Sequence, residues 1–133
     1  MTFEVIDSID YLTYFAREVL RYDSTAPSCM NLLAYQDVNL KDFTIKKGTD
    51  IQYNIYAIHR NPKQYQKPNE FLPERWDPEN PLYLTPDGKP RSKFSWLPFS
   101  IGPRACPGQF FALLQLKTWL IFVARNSNLW KVN

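Results

Sequence analysis

The ten residues Phe99-Ser100-Ile101-Gly102-Pro103-Arg104-Ala105-Cys106-Pro107-Gly108 decide the fold of this chain, because they set a cysteine between two glycines just before a predicted helix. The N-terminus of a helix, with its free amide groups, stabilises a thiolate at Cys106. Gly102 and Gly108 let the backbone approach a ligand closely, and Arg104 can pair with an anionic group such as a carboxylate. The stretch therefore indicates a cysteinate offered to a metal inside a flat, apolar cofactor that carries carboxylates.

A single cysteine is more often a small buried hydrophobe near a helix cap. Here every fixed position of the pattern Phe-x-x-Gly-x-Arg-x-Cys-x-Gly is filled, which favours the ligand interpretation. Pro107 suits the first position of the helix that follows, predicted over residues 108–125. Apolar side chains cover most of the circumference of this helix, as is typical of a core helix. Nothing else in 133 residues is large enough to surround it, so we expect the chain to be part of something larger.

The rest of the chain predicts a mainly helical α+β arrangement. Asp7 or Ser8 is expected to cap a helix that ends near Tyr22. Residues 30–35 form a candidate strand, residues 43–45 and 51–58 a hairpin around a turn at 46–49, and residues 61–65 one helical turn. Eight of the eleven prolines lie between positions 61 and 99, which excludes regular helix or central strand there. The aromatic residues in that stretch are expected to be buried.

Composition excludes several classes of protein. A chain of 133 residues holds one domain at most, and 44% apolar with 16% aromatic residues is incompatible with disorder. Cys29 and Cys106 form at most one disulfide and cannot complete a four-ligand zinc site with the lone His59. No apolar run approaches the roughly 18 residues of a membrane span, and no signal peptide is visible. A net charge of +3 is weak evidence for nucleic-acid binding and is compatible with an acidic protein partner.

The ten-residue stretch resembles the haem-ligand loop of the cytochrome P450 family, and three further family motifs occur in the family's order. Glu18-Val19-Leu20-Arg21 is similar to the Glu-x-x-Arg of the K helix, and the two charged residues share one helix face. His59-Arg60-Asn61-Pro62 resembles the family's His-Arg-Asp-Pro. Pro73-Glu74-Arg75-Trp76 resembles its Pro-Glu-Arg-Phe element, with Trp76 at the usual phenylalanine. The resemblance implies a buried Glu18–Arg21–Arg75 network that acts as scaffold.

The resemblance implies that residues 1–133 are a partial cytochrome P450 domain. Its expected parts are the K helix, short strands, an irregular meander, the cysteine loop and the long L helix. The distal oxygen-activating helix, the N-terminal half and the C-terminal strand hairpin are expected to be absent. Cys106 becomes the proximal ligand of haem b (iron protoporphyrin IX), Arg104 pairs with a propionate, Phe99 shields the sulfur, and Gly102 and Gly108 shape the loop. No catalytic residue is assigned within the chain.

For the parent protein the resemblance implies a haem-thiolate monooxygenase. Such an enzyme takes O2 and electrons that a flavin reductase or other donor delivers from NADPH, and inserts one oxygen atom into a small, hydrophobic organic substrate. Whether this chain alone is an enzyme stays open. The alternatives are a truncated non-catalytic product and a small haem-binding electron-transfer module. A full-length eukaryotic relative is expected at the endoplasmic reticulum membrane, whereas this chain alone is expected to be soluble.

Several residues keep two interpretations. Residues 26–33 resemble the segment over the distal haem face, where Ser28, Cys29 and Met30 either touch substrate or pack as ordinary loop and strand. His59 is either an iron ligand or, as we favour, a hydrogen-bonded structural residue. Four lysines either meet an acidic electron donor or are simply solvated charge; these are Lys63, Lys67, Lys93 and Lys117.

Overall fold

The computed structural model describes residues 2–29 and 31–127, without the side chain of Phe3. These residues form a mixed helical and strand structure, which confirms the predicted α+β class. The α-helices among them are α1 (Phe3–Asp7), α2 (Asp10–Tyr22), α3 (Ile55–His59) and α4 (Gln109–Asn126). Three short 3₁₀ helices lie at Pro73–Trp76, Pro81–Tyr83 and Gly102–Arg104.

Within residues 2–29 and 31–127 the strands are two residues long and form two antiparallel pairs. β1 (Leu32–Leu33) pairs with β4 (Asp50–Ile51), and β2 (Val38–Asn39) pairs with β3 (Thr44–Ile45). The predicted hairpin of residues 43–45 with residues 51–58 is therefore wrong. The expected turn at residues 46–49 does form. It is hydrogen-bonded to the residue that follows β1, since Gly48 N donates to the carbonyl of Ala34 at 2.8 Å.

Local capping explains two further differences from the sequence prediction. The side chain of Asn54 accepts the amide of Ala57 at 2.9 Å and starts α3, so the strand predicted over residues 51–58 ends at Ile51. The predicted cap at Asp7 or Ser8 is also wrong, because α1 occupies that position and the Ser8 hydroxyl donates back to Val5. The predicted end of the second helix at Tyr22 is confirmed. The strand predicted over residues 30–35 shrinks to β1, and Met30 lies outside the described residues.

The core lies where the proline-rich segment covers α2. Ala16 of α2 is fully buried, as is Tyr65, whose ring meets Trp76 edge-on at a centroid distance of 6.4 Å. Trp76 in turn meets Trp96 at 5.6 Å. The expected helical turn at residues 61–65 forms, with the Tyr65 amide donating to Asn61 at 3.0 Å. Trp76 is buried and Trp96 half-buried, but Phe71, Tyr83 and Phe94 are exposed, so the predicted burial of the aromatic residues in this segment is confirmed only in part.

The long helix α4 packs against α1 and α2 and leaves most of its apolar surface open. Four of its aromatic side chains are more than half exposed: Phe110, Phe111, Trp119 and Phe122. Its buried residue is Lys117, which contacts the Asp7 carboxylate at 2.7 Å. The helix begins at Gln109, so Pro107 precedes it by two residues and the predicted first helical position for that proline is wrong. Within the described residues no helix is long and apolar enough to cross a membrane.

Candidate functional site

A buried charge network joins α2 to the 3₁₀ helix Pro73–Trp76. Glu18, Arg21 and Arg75 are all completely shielded from solvent. Arg21 donates from Nε to Glu18 Oε2 at 2.9 Å and from Nη2 to Oε1 at 2.8 Å, and Arg75 Nε donates to the same Oε1 at 2.9 Å. The Glu18–Arg21–Arg75 network predicted from the motifs is therefore confirmed.

Two guanidinium groups share one carboxylate, so main-chain carbonyls supply the remaining acceptors. Arg21 Nη1 donates to the carbonyls of His59 at 2.9 Å and Pro68 at 2.8 Å. Arg75 Nη1 donates to the carbonyl of Gln66 at 2.8 Å. These carbonyls belong to the end of α3 and to the irregular segment that contains Gln66 and Pro68, so the network fixes the path of the backbone around it as well as its own charges.

The Glu18 carboxyl stays charged in spite of its burial. Burial acts to raise the pKa of Glu18, but hydrogen bonds from Arg21 and from the Leu72 amide at 2.9 Å, together with the charges of Arg21 and Arg75, outweigh it. The pKa of Glu18 is held below its usual value. The carboxylate is thus the acceptor around which donors of two chain segments, α2 and residues 72–76, are arranged.

Trp76 is a member of this network that sequence reasoning missed. Its indole Nε1 donates to Glu18 Oε2 at 3.0 Å, and the residue is buried. The signal in the sequence was the exchange of phenylalanine for tryptophan at the end of the Pro-Glu-Arg element, because indole carries a donor that a phenyl ring lacks. In this chain the side chain at position 76 therefore packs in the core and also donates a hydrogen bond to the buried carboxylate.

We expect Trp76→Phe to lower the free energy of unfolding by about 1.5–3 kcal/mol, the usual range for a hydrogen bond to a charged group. Urea denaturation followed by circular dichroism measures the change. Trp119→Phe is the matched control, since Trp119 is 58% exposed on α4, and its effect should stay within about 0.5 kcal/mol. Equal losses in the two variants would show that ring volume, and not the indole donor, matters at position 76.

The cysteine loop is held by its own backbone. The Cys106 amide donates to the carbonyl of Phe99 at 2.9 Å, and the Ala105 amide donates to Gly102 at 3.0 Å. Gly102 has φ +82°, a left-handed conformation that favours glycine. A Cβ on Gly108 would lie 3.9 Å from Cys106 Sγ, which is an ordinary van der Waals contact. The thiol of Cys106 is exposed.

Ser100 is a second feature that the sequence did not reveal. It adopts φ +63°, a left-handed conformation in a residue that carries a side chain. Its hydroxyl lies 2.7 Å from the hydroxyl of Tyr53, which belongs to the segment between β4 and α3. This bond ties the start of the cysteine loop to a part of the chain that is 47 residues away.

The five residues predicted to bind the cofactor lie in one loop, with Phe99 half-buried and the others exposed. Cys106 and Arg104 present a thiol and a guanidinium to solvent from a backbone that is already bonded to itself. A thiol and a guanidinium on one exposed loop fit a planar metal cofactor with acidic substituents, which would bind on the outer face of this loop. Their individual roles stay predictions. In the described part of the chain, no three His, Cys, Asp or Glu side chains gather as a metal-binding cluster.

The other candidate residues have structural partners. Cys29 Sγ accepts the Tyr53 amide at 3.1 Å, and Ser28 forms a bridge with Asn54. Ser28 is nevertheless exposed, so both interpretations of this segment stay predictions. His59 accepts the Leu97 amide on Nε2 at 2.8 Å, which supports the structural interpretation over iron ligation.

Lys63, Lys67 and Lys93 are exposed, whereas Lys117 is buried against Asp7, so the prediction of a solvated or donor-facing Lys117 is wrong.

Comparison with known proteins identifies the family of the chain. The family model described as Cytochrome P450 matches residues 1–129, and the chain therefore belongs to the cytochrome P450 family. It is 38% identical over 114 residues to a protein of Ovis aries named steroid 17-alpha-hydroxylase/17,20 lyase, which covers 85% of this chain and 21% of that protein. It is 35% identical over 125 residues to cytochrome P450 4V2 of Rattus norvegicus, covering 94% of this chain and 22% of the relative.

A plant relative has a similar match. Cytochrome P450 71B5 of Arabidopsis thaliana is 37% identical over 108 residues, which is 81% of this chain and 20% of that protein. The chain thus spans about a fifth of the length of the curated relatives it matches. At the level of the family, membership indicates haem-thiolate monooxygenase chemistry, with haem, O2 and an electron donor.

Proposed function

We propose that this chain is the haem-ligand portion of a cytochrome P450 monooxygenase and that Cys106 is the protein ligand of the haem iron. The observation that carries the proposal is the exposed Cys106 thiol on a loop that its own backbone bonds hold in place. A metal ligand needs a free donor atom on a rigid support, and the loop provides both.

The same loop supplies the residues that would hold the cofactor. Arg104 would pair with a propionate, Phe99 would shield the sulfur, and Gly102 and Gly108 would keep the backbone close without crowding it. When bound, haem supplies the activation of O2 for insertion of one oxygen atom into an organic molecule. The buried network contributes indirectly, because its member Trp76 packs against Trp96, three residues before Phe99.

The activity itself we assign to a longer polypeptide that contains this chain. Its substrate would be a small, hydrophobic organic molecule, and its electrons would come from NADPH through a flavin reductase or a comparable donor. For a eukaryotic parent protein, we propose a location at the endoplasmic reticulum membrane. The open apolar surface of α4 supports a larger assembly, because exposed aromatic side chains of this number normally have a covering partner.

The test uses a chimera in which this chain replaces the matching portion of the sheep relative. Reduced under carbon monoxide, the chimera should show the strongly red-shifted Soret band of an intact haem thiolate. Cys106→Ser should abolish that band, whereas the matched control Cys29→Ser should keep it. Persistence of the band in the first variant, or its loss in the second, would contradict the assignment.

The isolated chain is expected to bind haem poorly, because many walls of a closed pocket would have to come from outside the described residues. Titration of the 133-residue chain with haem, followed by absorbance, should therefore give weak and non-stoichiometric spectra. A stable one-to-one thiolate spectrum would instead favour a small haem-binding module.

A further inference from the structure

We infer that His59 is a positioning residue that connects the buried charge network to the Cys106 loop. The inference rests on the proposed function for the meaning of that loop, although the contacts themselves do not. His59 is the last residue of α3 and is completely buried. It is linked to the network through its backbone and to the loop through its ring.

The ring supplies an acceptor where the fold offers no carbonyl. His59 Nε2 accepts the Leu97 amide at 2.8 Å, and Leu97 is 6% exposed. Leu97 lies two residues before Phe99, in an irregular segment without a strand partner. A buried amide must find an acceptor, and here a side chain from 38 residues away provides it.

The backbone of His59 is held by the buried charge network. Its carbonyl accepts Arg21 Nη1 at 2.9 Å, and the same guanidinium donates to the Glu18 carboxylate. Arg21 and Glu18 are both completely buried, so neither can exchange its partners for water. The network therefore fixes the backbone of His59, and from that position the ring reaches the Leu97 amide.

The path continues from Leu97 into the ligand loop. The Leu97 carbonyl accepts the Ser100 amide at 3.2 Å, and the Ser100 hydroxyl meets Tyr53 at 2.7 Å. Phe99 lies between Leu97 and Ser100 in the sequence, and its carbonyl accepts the Cys106 amide at 2.9 Å. Hydrogen bonds and short stretches of backbone thus join Glu18 to the residue that carries the thiol.

The bond also specifies the protonation state of the ring. An imidazole that accepts on Nε2 is neutral and carries its proton on Nδ1. The Leu97 amide bonds the ring through Nε2, and the backbone of Arg21 and Leu20 interacts with the ring as well. This tautomer is a direct and observable consequence of the proposed role.

Two variants test the role on the whole chain without haem. His59→Leu removes the acceptor, and His59→Gln restores an acceptor oxygen at a similar reach. In His59→Leu, the amides of Leu97 and Ser100 should exchange with deuterium about tenfold faster, while the amides of α2 keep their rates. In His59→Gln, both rates should return to within about threefold of those of the parent chain.

The control against simple unfolding is a measurement on the unaltered chain. Nitrogen-15 NMR should show Nε2 of His59 unprotonated and Nδ1 protonated, with the Leu97 amide protected from exchange. A proton on Nε2, or a Leu97 amide that exchanges like an exposed one, overturns the inference. So does a uniform acceleration of exchange in His59→Leu that also includes α2. None of these readouts involves haem, so they are separate from the Cys106→Ser test of the proposed function.

Discussion

Glu18→Gln should lower the free energy of unfolding by roughly 3–5 kcal/mol, the usual cost of removing one partner from a buried ion pair. The substitution keeps the shape of the side chain and removes its charge. Arg21 and Arg75 would then be two buried guanidinium groups without an anion. The carboxylate accepts five hydrogen bonds. In the glutamine side chain one of its two oxygens becomes an NH2 group, which cannot accept a hydrogen bond and would face these donors.

Such a loss is comparable to the total stability of a small domain, about 5–15 kcal/mol. We therefore expect Glu18→Gln to be largely unfolded at 37 °C, as measured by circular dichroism and urea denaturation. Glu70→Gln is the matched control, since its carboxylate meets Lys67 at 3.4 Å with more than half of both side chains exposed. That variant should lose less than about 1 kcal/mol. A folded Glu18→Gln chain with control-like stability would show that the carbonyls alone balance the two arginines.

The charged members of this network were accessible from the sequence because motif spacing fixes side-chain geometry. Glu18 and Arg21 are three residues apart on a helix, and this places them on one face. The acceptors around them were not accessible, because the carbonyls of Pro68 and Gln66 belong to irregular backbone. No pattern of residue types encodes the direction of such a carbonyl.

The strands were the least predictable part for a similar reason. β1 and β3 contain two residues each, too few for the alternation that identifies a strand. Their pairing depends on how the turn at residues 46–49 folds against Ala34, which is a tertiary contact. In contrast, α3 could have been found, because Asn54 is a good helix cap and lies three residues before the amide it accepts.

The cysteine loop shows the same division between pattern and context. Gly102, Cys106 and Gly108 are recognisable from residue type and spacing. Ser100 contacts Tyr53 and His59 contacts Leu97, and each pair is about 40 residues or more apart in the sequence. No local sequence pattern predicts these two contacts. The site is therefore a recognisable motif held by contacts that only the folded chain reveals.

His59 also predicts how the chain responds to acid. Burial lowers the pKa of His59 from an ordinary 6.5 to about 4, and the positive charges of Arg21 and Arg60 act in the same direction, while the backbone of Arg21 and Leu20 partly opposes them. Below about pH 6.5 the unfolded chain takes up a proton on this residue, whereas the folded chain does not until pH is near 4. The proton therefore favours unfolding, and stability falls as pH decreases through this window.

At about 1.4 kcal/mol per pKa unit, the expected loss between pH 6.5 and pH 4 is roughly 3 kcal/mol. Urea denaturation at intervals across this range measures the slope for the chain and for His59→Gln. The variant keeps an acceptor for Leu97 but cannot titrate. Its free energy of unfolding should therefore fall by roughly 3 kcal/mol less than that of the parent chain over this pH range. Glu18 does not obscure the comparison, because its pKa lies below the usual 4.5 and its own loss falls mostly at lower pH. Parallel slopes for the two proteins would mean that His59 is protonated in the folded chain, and Nε2 could then not accept the Leu97 amide.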